Sequence, residues 1–235
     1  MGFDAIWISP IPENYPGGYH GYWQTNFQEL NSNFGSEQDL VNFIKACHQR
    51  NIWVMLDVVA NHVGPVNYDY SSIVPFDQST YYHGCTACPS NCQIQDWNDQ
   101  PEIEVCRLAG LPDLDQSNTF VNSTLVKWIY NTVTTYGFDG IRIDTVPEVD
   151  KEFWYGYVSS AGVYNVGEVF NGDIDYVAGY MSPQGPLDAA LSYPLFFTLR
   201  SVYASQQSMY QLQSVNQQYA ESFGTGVNLM GIECL

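Results

Sequence analysis

Basic residues are scarce in this chain. Lys and Arg together number 7, against 25 Asp and Glu among 235 residues, so the formal net charge is −18. A negative field of that size repels nucleic-acid phosphates and anionic lipid headgroups. We therefore expect neither nucleic acid nor a membrane as a partner, and the charge suits a neutral substrate or a cation.

Long apolar runs and low-complexity tracts are absent as well. No apolar run is long enough to span a bilayer, and no Gly/Ser-rich linker divides the chain. The composition, 45% hydrophobic, is that of a globular protein. A chain of this length buries one sizeable core, or one core that carries an inserted lobe.

Cysteines are clustered. Four of the six lie in one irregular stretch, at Cys85, Cys88, Cys92 and Cys106. Such a cluster is typical either of a lobe closed by disulfides or of a thiolate metal site. Because Cys85-x-x-Cys88 is followed by no second CxxC or HxxxH at zinc-finger spacing, we favour disulfides. The glycosylation sequon at Asn122 supports secretion.

The first third of the chain reads as strand, helix, strand. The apolar runs Ala5–Ile8 and Ile52–Val59 predict two buried strands. Between them, Ser36 is a predicted N-cap with Asp39 three residues later, and an apolar stripe runs from Leu40 to Cys47. This order predicts a parallel sheet.

The same alternation continues downstream. The predicted elements are a helical stripe from Val121 to Ile129, a strand at Ile141–Asp144, a helix at Lys151–Val158, a strand at Tyr164–Val169, a strand at Ala189–Tyr193 and a polar helix at Gln206–Tyr219. Alternating strands and helices of this kind are typical of an α/β fold.

One segment, from about His62 to Leu111, shows no strong helix pattern. Irregular connections of this length are uncommon unless they are functional, so we interpret it as a lobe inserted between a strand and the next helix. Such a lobe is a feature of (β/α) barrels, whose chemistry lies at the C-terminal ends of the strands. The sequence thus predicts a partial TIM (β/α)8 barrel, with residues 1–61 and 113–235 forming the barrel and 62–112 the lobe.

Arg142 and Asp144 are the most informative pair. They alternate with isoleucines in the run Gly140–Val146, so on a strand both point to the same face. A guanidinium beside a carboxylate favours the ionised form, which a nucleophile requires. The alternative interpretation is a buried structural ion pair.

Three acids, Asp57, Asp144 and Glu168, fall at the C-terminal ends of predicted strands. In a parallel barrel these ends converge, and two carboxylates across a bond are what glycoside hydrolysis requires. The apolar neighbours of Glu168 and the charge of Asp144 are expected to raise the pKa of Glu168, as suits a general acid. The alternative is a solvated acid at a strand end.

Hard oxygen donors and aromatic residues surround these acids in the sequence. The Asn61 amide and the Asp113 carboxylate suit Ca²⁺, which would tie the lobe to the barrel; alternatively both residues are turn formers. His20 can hydrogen-bond sugar hydroxyls, and the Tyr22-Trp23 pair can stack on sugar rings, although such a pair also fits a core.

Four ordered motifs carry a family resemblance. They are DVVANH (Asp57–His62), LPDLD (Leu111–Asp115), GIRIDTV (Gly140–Val146) and GEVFNG (Gly167–Gly172). Together they resemble the α-amylase family, glycoside hydrolase family 13, and in particular the secreted fungal-type enzymes. The resemblance covers nearly the whole chain.

The resemblance implies roles for individual residues. Asp144 matches the nucleophile, Glu168 the general acid/base, and Arg142 the arginine that keeps the nucleophile ionised. The implied substrate-binding residues are His20, Tyr22, Trp23, His62 and Gly172. The implied calcium ligands are the side chains of Asn61 and Asp113 and the main-chain carbonyls of Glu104 and Glu148. A disulfide between Cys92 and Cys106 is also implied.

Two departures from the family pattern stand out. The third catalytic acid of the family lies in an Asn-His-Asp motif, whereas the Asn61-His62 pair here is followed by Val63. The family's Lys-His dipeptide after the nucleophile strand is Pro147-Glu148, which removes a lysine contact to sugar but keeps a main-chain carbonyl for calcium. Because the family's first strand, last strands and C-terminal domain are also unmatched, we expect an inactive fragment of a longer secreted protein.

The expected parent activity is retaining endo-hydrolysis of α-1,4-glucosidic bonds in starch, glycogen or maltooligosaccharides, by a monomer that binds Ca²⁺. Retention predicts carboxyl groups about 5–5.5 Å apart at the two catalytic acids. One alternative is another activity of the same family, such as that of an α-glucosidase. The other is a non-catalytic, calcium-stabilised glucan-binding protein.

Overall fold

The computed structural model describes residues 2–223, which fall into two units that divide between Tyr164 and Asn165. Each unit is described by itself. Among the described residues, no helix combines the length and the hydrophobicity needed to cross a bilayer.

The first unit alternates strands and helices. Its elements are β1 (Ala5–Ile8), β2 (Pro12–Asn14), β3 (Gln24–Leu30), α1 (Glu37–His48), β4 (Trp53–Val58), α2 (Gln100–Val105), α3 (Thr119–Tyr136), β5 (Gly140–Ile143) and α4 (Lys151–Ala161). Strands β1, β4 and β5 pair in parallel in that order, as predicted. Strands β2 and β3 form a separate antiparallel pair, which the sequence analysis missed.

The start of α1 follows from its sequence. The Ser36 hydroxyl accepts a hydrogen bond from the Asp39 N–H, and the Asp39 side chain accepts one from the Ser36 N–H. This capping box satisfies backbone donors that the first turn of a helix leaves open. The predicted cap is therefore confirmed. The helix buries Ile44 and Cys47 of the predicted stripe, but Phe43 is exposed.

Strand β1 is less buried than predicted. Its residues alternate between exposed and half-buried, and Trp7 is 37% exposed. The prediction of a buried strand is therefore wrong for Ala5–Ile8. The physical reason is its place in the sheet: among the described residues β1 pairs with β4 on one side only, so it is covered less than β4 and β5, which hold buried residues such as Leu56 and Ile143.

The inserted stretch holds two disulfides, Cys85–Cys92 and Cys88–Cys106, with Cα atoms 5.1 and 5.7 Å apart. This confirms disulfides over a thiolate metal site, but the implied Cys92–Cys106 pair is wrong. Cys92 has a φ of 60°, in the left-handed region. Cys106 instead lies in an apolar cluster with Ile94 and Ile103, against which Cys88 packs.

The pairing predicts the result of removing cysteines in pairs. The double variants Cys85→Ala/Cys92→Ala and Cys88→Ala/Cys106→Ala should each add no free thiol to the parent count in a denaturing thiol titration. The crossed variant Cys85→Ala/Cys106→Ala is the matched control and should leave Cys88 and Cys92 as free thiols. Loss of the Cys88–Cys106 disulfide is expected to lower the free energy of unfolding by about 3 kcal/mol, because the bridge joins residues 18 positions apart and so restricts the unfolded chain. Free thiols in the first two variants would contradict the pairing.

The second unit contains most of β6 (Tyr164–Gly167), then α5 (Ile174–Ala178), β7 (Ala189–Ala190), α6 (Tyr193–Ala204) and α7 (Tyr210–Phe223). β6 and β7 are parallel, with Val166 opposite Ala189. Its core includes Ile174, Val215 and Tyr219, with Leu195 packed against them.

Helix α6 was not predicted, and the predicted strand Ala189–Tyr193 ends at Ala190. The residues that follow, from Leu195 to Leu199, are apolar apart from Thr198. A short apolar run of that kind does not distinguish a strand from a buried helix. The proline in the first turn of α6 is the one signal for a helix start. The predicted polar helix starts at Tyr210 rather than at Gln206.

Candidate active site

Strand register brings Asp57 and Arg142 together. The two are directly opposite each other on β4 and β5. Arg142 Nη1 donates to Asp57 Oδ1 at 3.0 Å and to Asp144 Oδ1 at 2.6 Å. Arg142 and Asp57 are 2% and 1% exposed. The predicted Arg142–Asp144 pair is thus part of a buried network of one cation and two carboxylates.

Asp57 is held by further donors. Its Oδ2 accepts from the Tyr22 hydroxyl at 2.7 Å and from Trp7 Nε1 at 3.2 Å. The guanidinium carbon of Arg142 lies 5.2 Å from the centre of the Trp7 ring, within cation–π range. Burial, followed by the negative charge of Asp57, raises the pKa of Tyr22, which therefore stays a hydroxyl donor. These contacts fix Asp57 as an acceptor and orient Arg142.

The backbone turns sharply immediately after Asp144. The Asp144 N–H still donates to the Val58 carbonyl at 2.9 Å, as in the sheet. The next residue, Thr145, has φ 50° and ψ 51°, the left-handed region. This conformation is rare for a β-branched residue, and such strain is concentrated at functional sites.

The loop between β2 and β3 holds the predicted sugar-binding aromatics. The Asn14 side chain donates to the Gly21 carbonyl at 3.1 Å and accepts from the Trp23 N–H at 2.8 Å. Gly21 has φ 92°, and a Cβ there would lie 2.8 Å from a Pro10 atom, so only glycine fits. The loop is therefore well defined by its own contacts.

Three predicted substrate-binding residues of this loop lie together. The His20 ring is stacked on Tyr22 with centroids 5.7 Å apart, and it meets Trp23 edge-on at 4.8 Å. His20 Nδ1 accepts from the Tyr22 N–H at 3.0 Å. Across from the loop, His62 Nε2 is 3.1 Å from the Tyr22 carbonyl oxygen. The first unit thus groups His20, Tyr22, Trp23 and His62.

The Asn61 amide lies among the predicted calcium ligands. One end faces the Glu148 carbonyl at 3.0 Å and Asp113 Oδ1 at 2.9 Å, and the other faces His62 Nδ1 at 3.3 Å. A neutral His62 that donates from Nε2 to the Tyr22 carbonyl accepts at Nδ1. The Asn61 nitrogen then belongs beside His62, and its oxygen joins two others.

In this orientation the Asn61 oxygen lies 3.0 Å from the Glu148 carbonyl oxygen and 2.9 Å from Asp113 Oδ1, and oxygen donors of these kinds suit a hard cation such as calcium. The opposite orientation of the Asn61 amide would place its nitrogen between Asp113 and Glu148 and suit the metal-free protein. Among residues 2–223, no group of three or more His, Cys, Asp or Glu side chains is arranged to hold a metal. The set assembled here consists of one carboxylate, one amide and a main-chain carbonyl, so it fits calcium.

Glu104 lies near the end of α2. Its carboxylate accepts from Gln100 Nε2 at 2.8 Å, and the same nitrogen donates to the Pro147 carbonyl at 2.9 Å. This bridge ties α2 to the turn that carries Glu148. The role implied for the Glu104 main-chain carbonyl stays a prediction.

Asp113 has a second neighbour, His83, whose Nδ1 is 2.7 Å from Asp113 Oδ2. Burial raises the pKa of Asp113 to about 7, against the hydrogen bond and charge of His83. Burial alone lowers the pKa of His83, but the hydrogen bond and charge of Asp113, with Asp115 and Glu104, outweigh it and raise that pKa. A cation beside Asp113 would favour the ionised carboxylate.

The second unit carries Glu168 just beyond the end of β6. Glu168 Oε1 accepts from the Tyr193 hydroxyl at 3.1 Å. Tyr193 is buried and meets the Phe170 ring edge-on at 4.7 Å. Glu168 is therefore half-buried beside an aromatic side chain that donates a hydrogen bond to it. Gly172 lies in the same unit, and a Cβ there would be 3.4 Å from the Phe197 ring.

Comparison with known proteins decides the family. Residues 1–228 match the family model described as the alpha amylase catalytic domain. This chain belongs to the α-amylase family. Alpha-amylase 1 of Schizosaccharomyces pombe is 40% identical over 211 residues, which cover 83% of this chain and 32% of that protein. Alpha-amylase of Saccharomycopsis fibuligera is 36% identical over 222 residues, which cover 88% and 43% respectively.

Solved structures of α-amylases also match this chain. An α-amylase from Malbranchea cinnamomea matches with a TM-score of 0.84 and 35% identity, covering 94% of this chain and 48% of that one. An α-amylase from Geobacillus thermoleovorans complexed with acarbose matches with a TM-score of 0.82, 35% identity and the same coverage. The chain spans less than half the length of these relatives. The predicted α/β fold, corresponding to part of an amylase barrel, is confirmed.

Sequence reasoning missed three residues that hydrogen-bond candidate residues, two in the first unit and one in the second. Trp7 donates to Asp57, Tyr193 donates to Glu168, and His83 bonds Asp113. Trp7 read as one member of an apolar strand, and Tyr193 as a strand end. The Pro194 that follows Tyr193 indicated a helix start and was the only available signal.

Proposed function

We propose that this chain carries the nucleophile and the general acid/base of a retaining α-amylase that cleaves internal α-1,4-glucosidic bonds. The observation that carries the proposal is the buried Arg142, which bonds both Asp57 and Asp144 within a member of this family. A carboxylate that accepts from a guanidinium stays ionised, as a nucleophile must.

In this reaction Asp144 attacks the anomeric carbon while the bond to the glycosidic oxygen breaks. Glu168 gives its proton to the departing oxygen, and a covalent glycosyl ester to Asp144 forms. Glu168 then takes a proton from water, whose oxygen displaces Asp144 and releases a product of unchanged anomeric configuration. The Tyr193 hydroxyl supports this assignment because it orients the Glu168 carboxylate.

The proposed substrate is starch, glycogen or a maltooligosaccharide. His20, Tyr22, Trp23, His62 and Gly172 are its proposed contacts. Tyr22 supports this proposal in a specific way: its hydroxyl is bonded to Asp57, so the role proposed for it uses the ring face, on which a sugar can stack. The acarbose in the related Geobacillus enzyme is consistent with sugar-like ligands.

We further propose that the protein is secreted and monomeric, and that residues 62–112 act as a lobe distinct from 1–61 and 113–235. The two disulfides support an oxidising compartment. The expectation that these residues alone are inactive stays a prediction.

The deciding experiment uses a maltooligosaccharide blocked at its non-reducing end. The product of the complete reading frame that encodes these residues is compared with the 235 residues alone. We expect internal cleavage in which the α-anomer is the first product, as detected by proton NMR. Cleavage only of unblocked substrate would favour an α-glucosidase, and a β-anomer would exclude retention. A folded protein that binds immobilised starch without cleaving it would favour the glucan-binding alternative.

Calcium is proposed to bind at Asn61, Asp113 and the carbonyls of Glu104 and Glu148, where it would join the lobe to the sheet without entering the chemistry. At a calcium concentration 100-fold above Kd, the ion should add about 2.7 kcal/mol to the free energy of unfolding. For a chain of this size that corresponds to about 5–10 °C in Tm.

The calcium effect is measured by calorimetry with Ca²⁺, with Mg²⁺ and with EDTA. We expect Ca²⁺ to raise Tm more than Mg²⁺ does, because Mg²⁺ demands a smaller octahedral site. The Asp113→Asn variant should lose most of the increment. An equal Tm in Ca²⁺ and EDTA would contradict the site.

A further inference from the structure

His83 contacts the buried Asp113, and the proposed reaction assigns it no role. Its Nδ1 contacts Asp113 Oδ2 at 2.7 Å, whereas the other oxygen, Asp113 Oδ1, faces the Asn61 amide. The two oxygens of one carboxylate therefore have different partners. Asp113 is 2% exposed, so its orientation depends on these partners rather than on water.

The main chain fixes the histidine as well. The His83 N–H donates to the Asp113 carbonyl at 3.0 Å, and the Asp115 N–H donates to the Tyr81 carbonyl at 2.9 Å. On the other side, the Leu114 N–H donates to the Asn61 carbonyl at 2.8 Å. Asp113 thus lies on the middle one of three adjacent extended segments, with His83 on one side and Asn61 on the other.

The second ring nitrogen is also constrained. His83 Nε2 lies 3.4 Å from Asp115 Oδ1, so the ring is held between two carboxylates. A ring held at both ends has little freedom to rotate, and it can keep Asp113 in one orientation.

We propose that His83 is a positioning residue for the calcium site, which holds Asp113 Oδ2 so that Oδ1 points toward the Asn61 amide. This inference rests on the calcium site proposed above. Groups that bond a metal ligand from behind typically change metal affinity by about 10–100-fold when they are removed. The competing explanation is that His83 only packs the lobe.

Conservative variants separate the two explanations. Asn at position 83 keeps an N–H donor where Nδ1 lies, Gln places its donor where Nε2 lies, and Leu has neither. Calcium affinity, measured by calorimetry and by competition with luminescent Tb³⁺, should fall about 10–100-fold in His83→Gln and His83→Leu. His83→Asn should bind as the parent does.

A second histidine provides the matched control. His48 Nε2 is 2.8 Å from Asp139 Oδ2, but His48 is an exposed residue at the end of α1 and Asp139 immediately precedes β5. His48→Leu should leave calcium and Tb³⁺ affinity unchanged. Unfolding in EDTA is measured in parallel, because a packing role would lower stability there, whereas a positioning role lowers mainly the increment added by calcium.

The outcomes are distinct. Equal calcium affinity in the parent, His83→Gln and His83→Leu would overturn the role of His83 while leaving the calcium site intact. A loss in His83→Asn as large as that in His83→Leu would also overturn it, because the donor is retained there. A parent that binds neither Ca²⁺ nor Tb³⁺ would overturn the calcium site itself, and the inference with it, without bearing on the assignment of Asp144 and Glu168.

Discussion

In the product of the complete reading frame that encodes these residues, Glu168→Gln is expected to lower kcat for glucan hydrolysis about 10²–10⁴-fold, the range that general acid–base catalysis contributes. Gln matches Glu in shape and can still accept a hydrogen bond from the Tyr193 hydroxyl, so the second unit should keep its structure. What the variant loses is the proton for the departing oxygen. The effect should therefore appear in kcat, with little change in the affinity for substrate.

The measurement compares two substrates, starch and an aryl maltooligosaccharide whose leaving group departs without protonation. With the aryl substrate, the rate of the first step, formation of the covalent ester, should fall much less. Added azide should then release an α-glycosyl azide, because the covalent ester to Asp144 persists until a nucleophile displaces it. Glu221→Gln, an exposed acid on α7, is the matched control and should behave as the parent. An equal loss on both substrates would contradict the role of Glu168 as the acid.

Arg142→Met is expected to destabilise the first unit by about 3–5 kcal/mol, because it leaves two buried carboxylates without their cation. Met fills much of the same volume and removes only the charge and its hydrogen bonds. For a chain of this size the change corresponds to a fall in Tm of roughly 6–20 °C. Any residual folded protein should also lose activity, since Asp144 would no longer be held ionised.

Denaturant unfolding at neutral pH tests this expectation. Lys127→Met, which removes an exposed cation from α3, is the matched control and should change stability by less than about 0.5 kcal/mol. The double variant Arg142→Met/Asp57→Asn should recover part of the lost free energy of unfolding, because the buried charge of Asp57 is then absent. A single variant as stable as the Lys127 control would show that the network contributes little.

The two interpretations of Arg142 from sequence, a structural ion pair and an activator of the nucleophile, are compatible in the structure. Arg142 bonds Asp57, which also accepts from Tyr22 and Trp7, and through the same nitrogen it bonds Asp144. Asp57 anchors the guanidinium, and Asp144 accepts a hydrogen bond from it at the strand end. A well-anchored cation is a better electrostatic partner for a nucleophile than a mobile one.

Local patterns predicted most of the elements in the first unit. The capping box at Ser36 and the strand at Gly140–Ile143 depend on residues within a few positions of one another. Helix α6 was missed because its apolar residues surround the helix and show no face. The disulfide pairing was wrong because it depends on which cysteines the folded lobe brings together, which the cysteine spacing does not encode.

By itself, the sequence determined the family and the acids that carry the proposed chemistry, because four motifs and an i, i+2 strand pattern are local properties. Only the tertiary structure decided which groups support them. The hydrogen bonds of Asp57 reach residues 35, 50 and 85 positions away, at Tyr22, Trp7 and Arg142. The contact of His83 with Asp113 spans 30 positions. Contacts of that range depend on strand register and on loop packing, which bring together side chains that no local pattern relates.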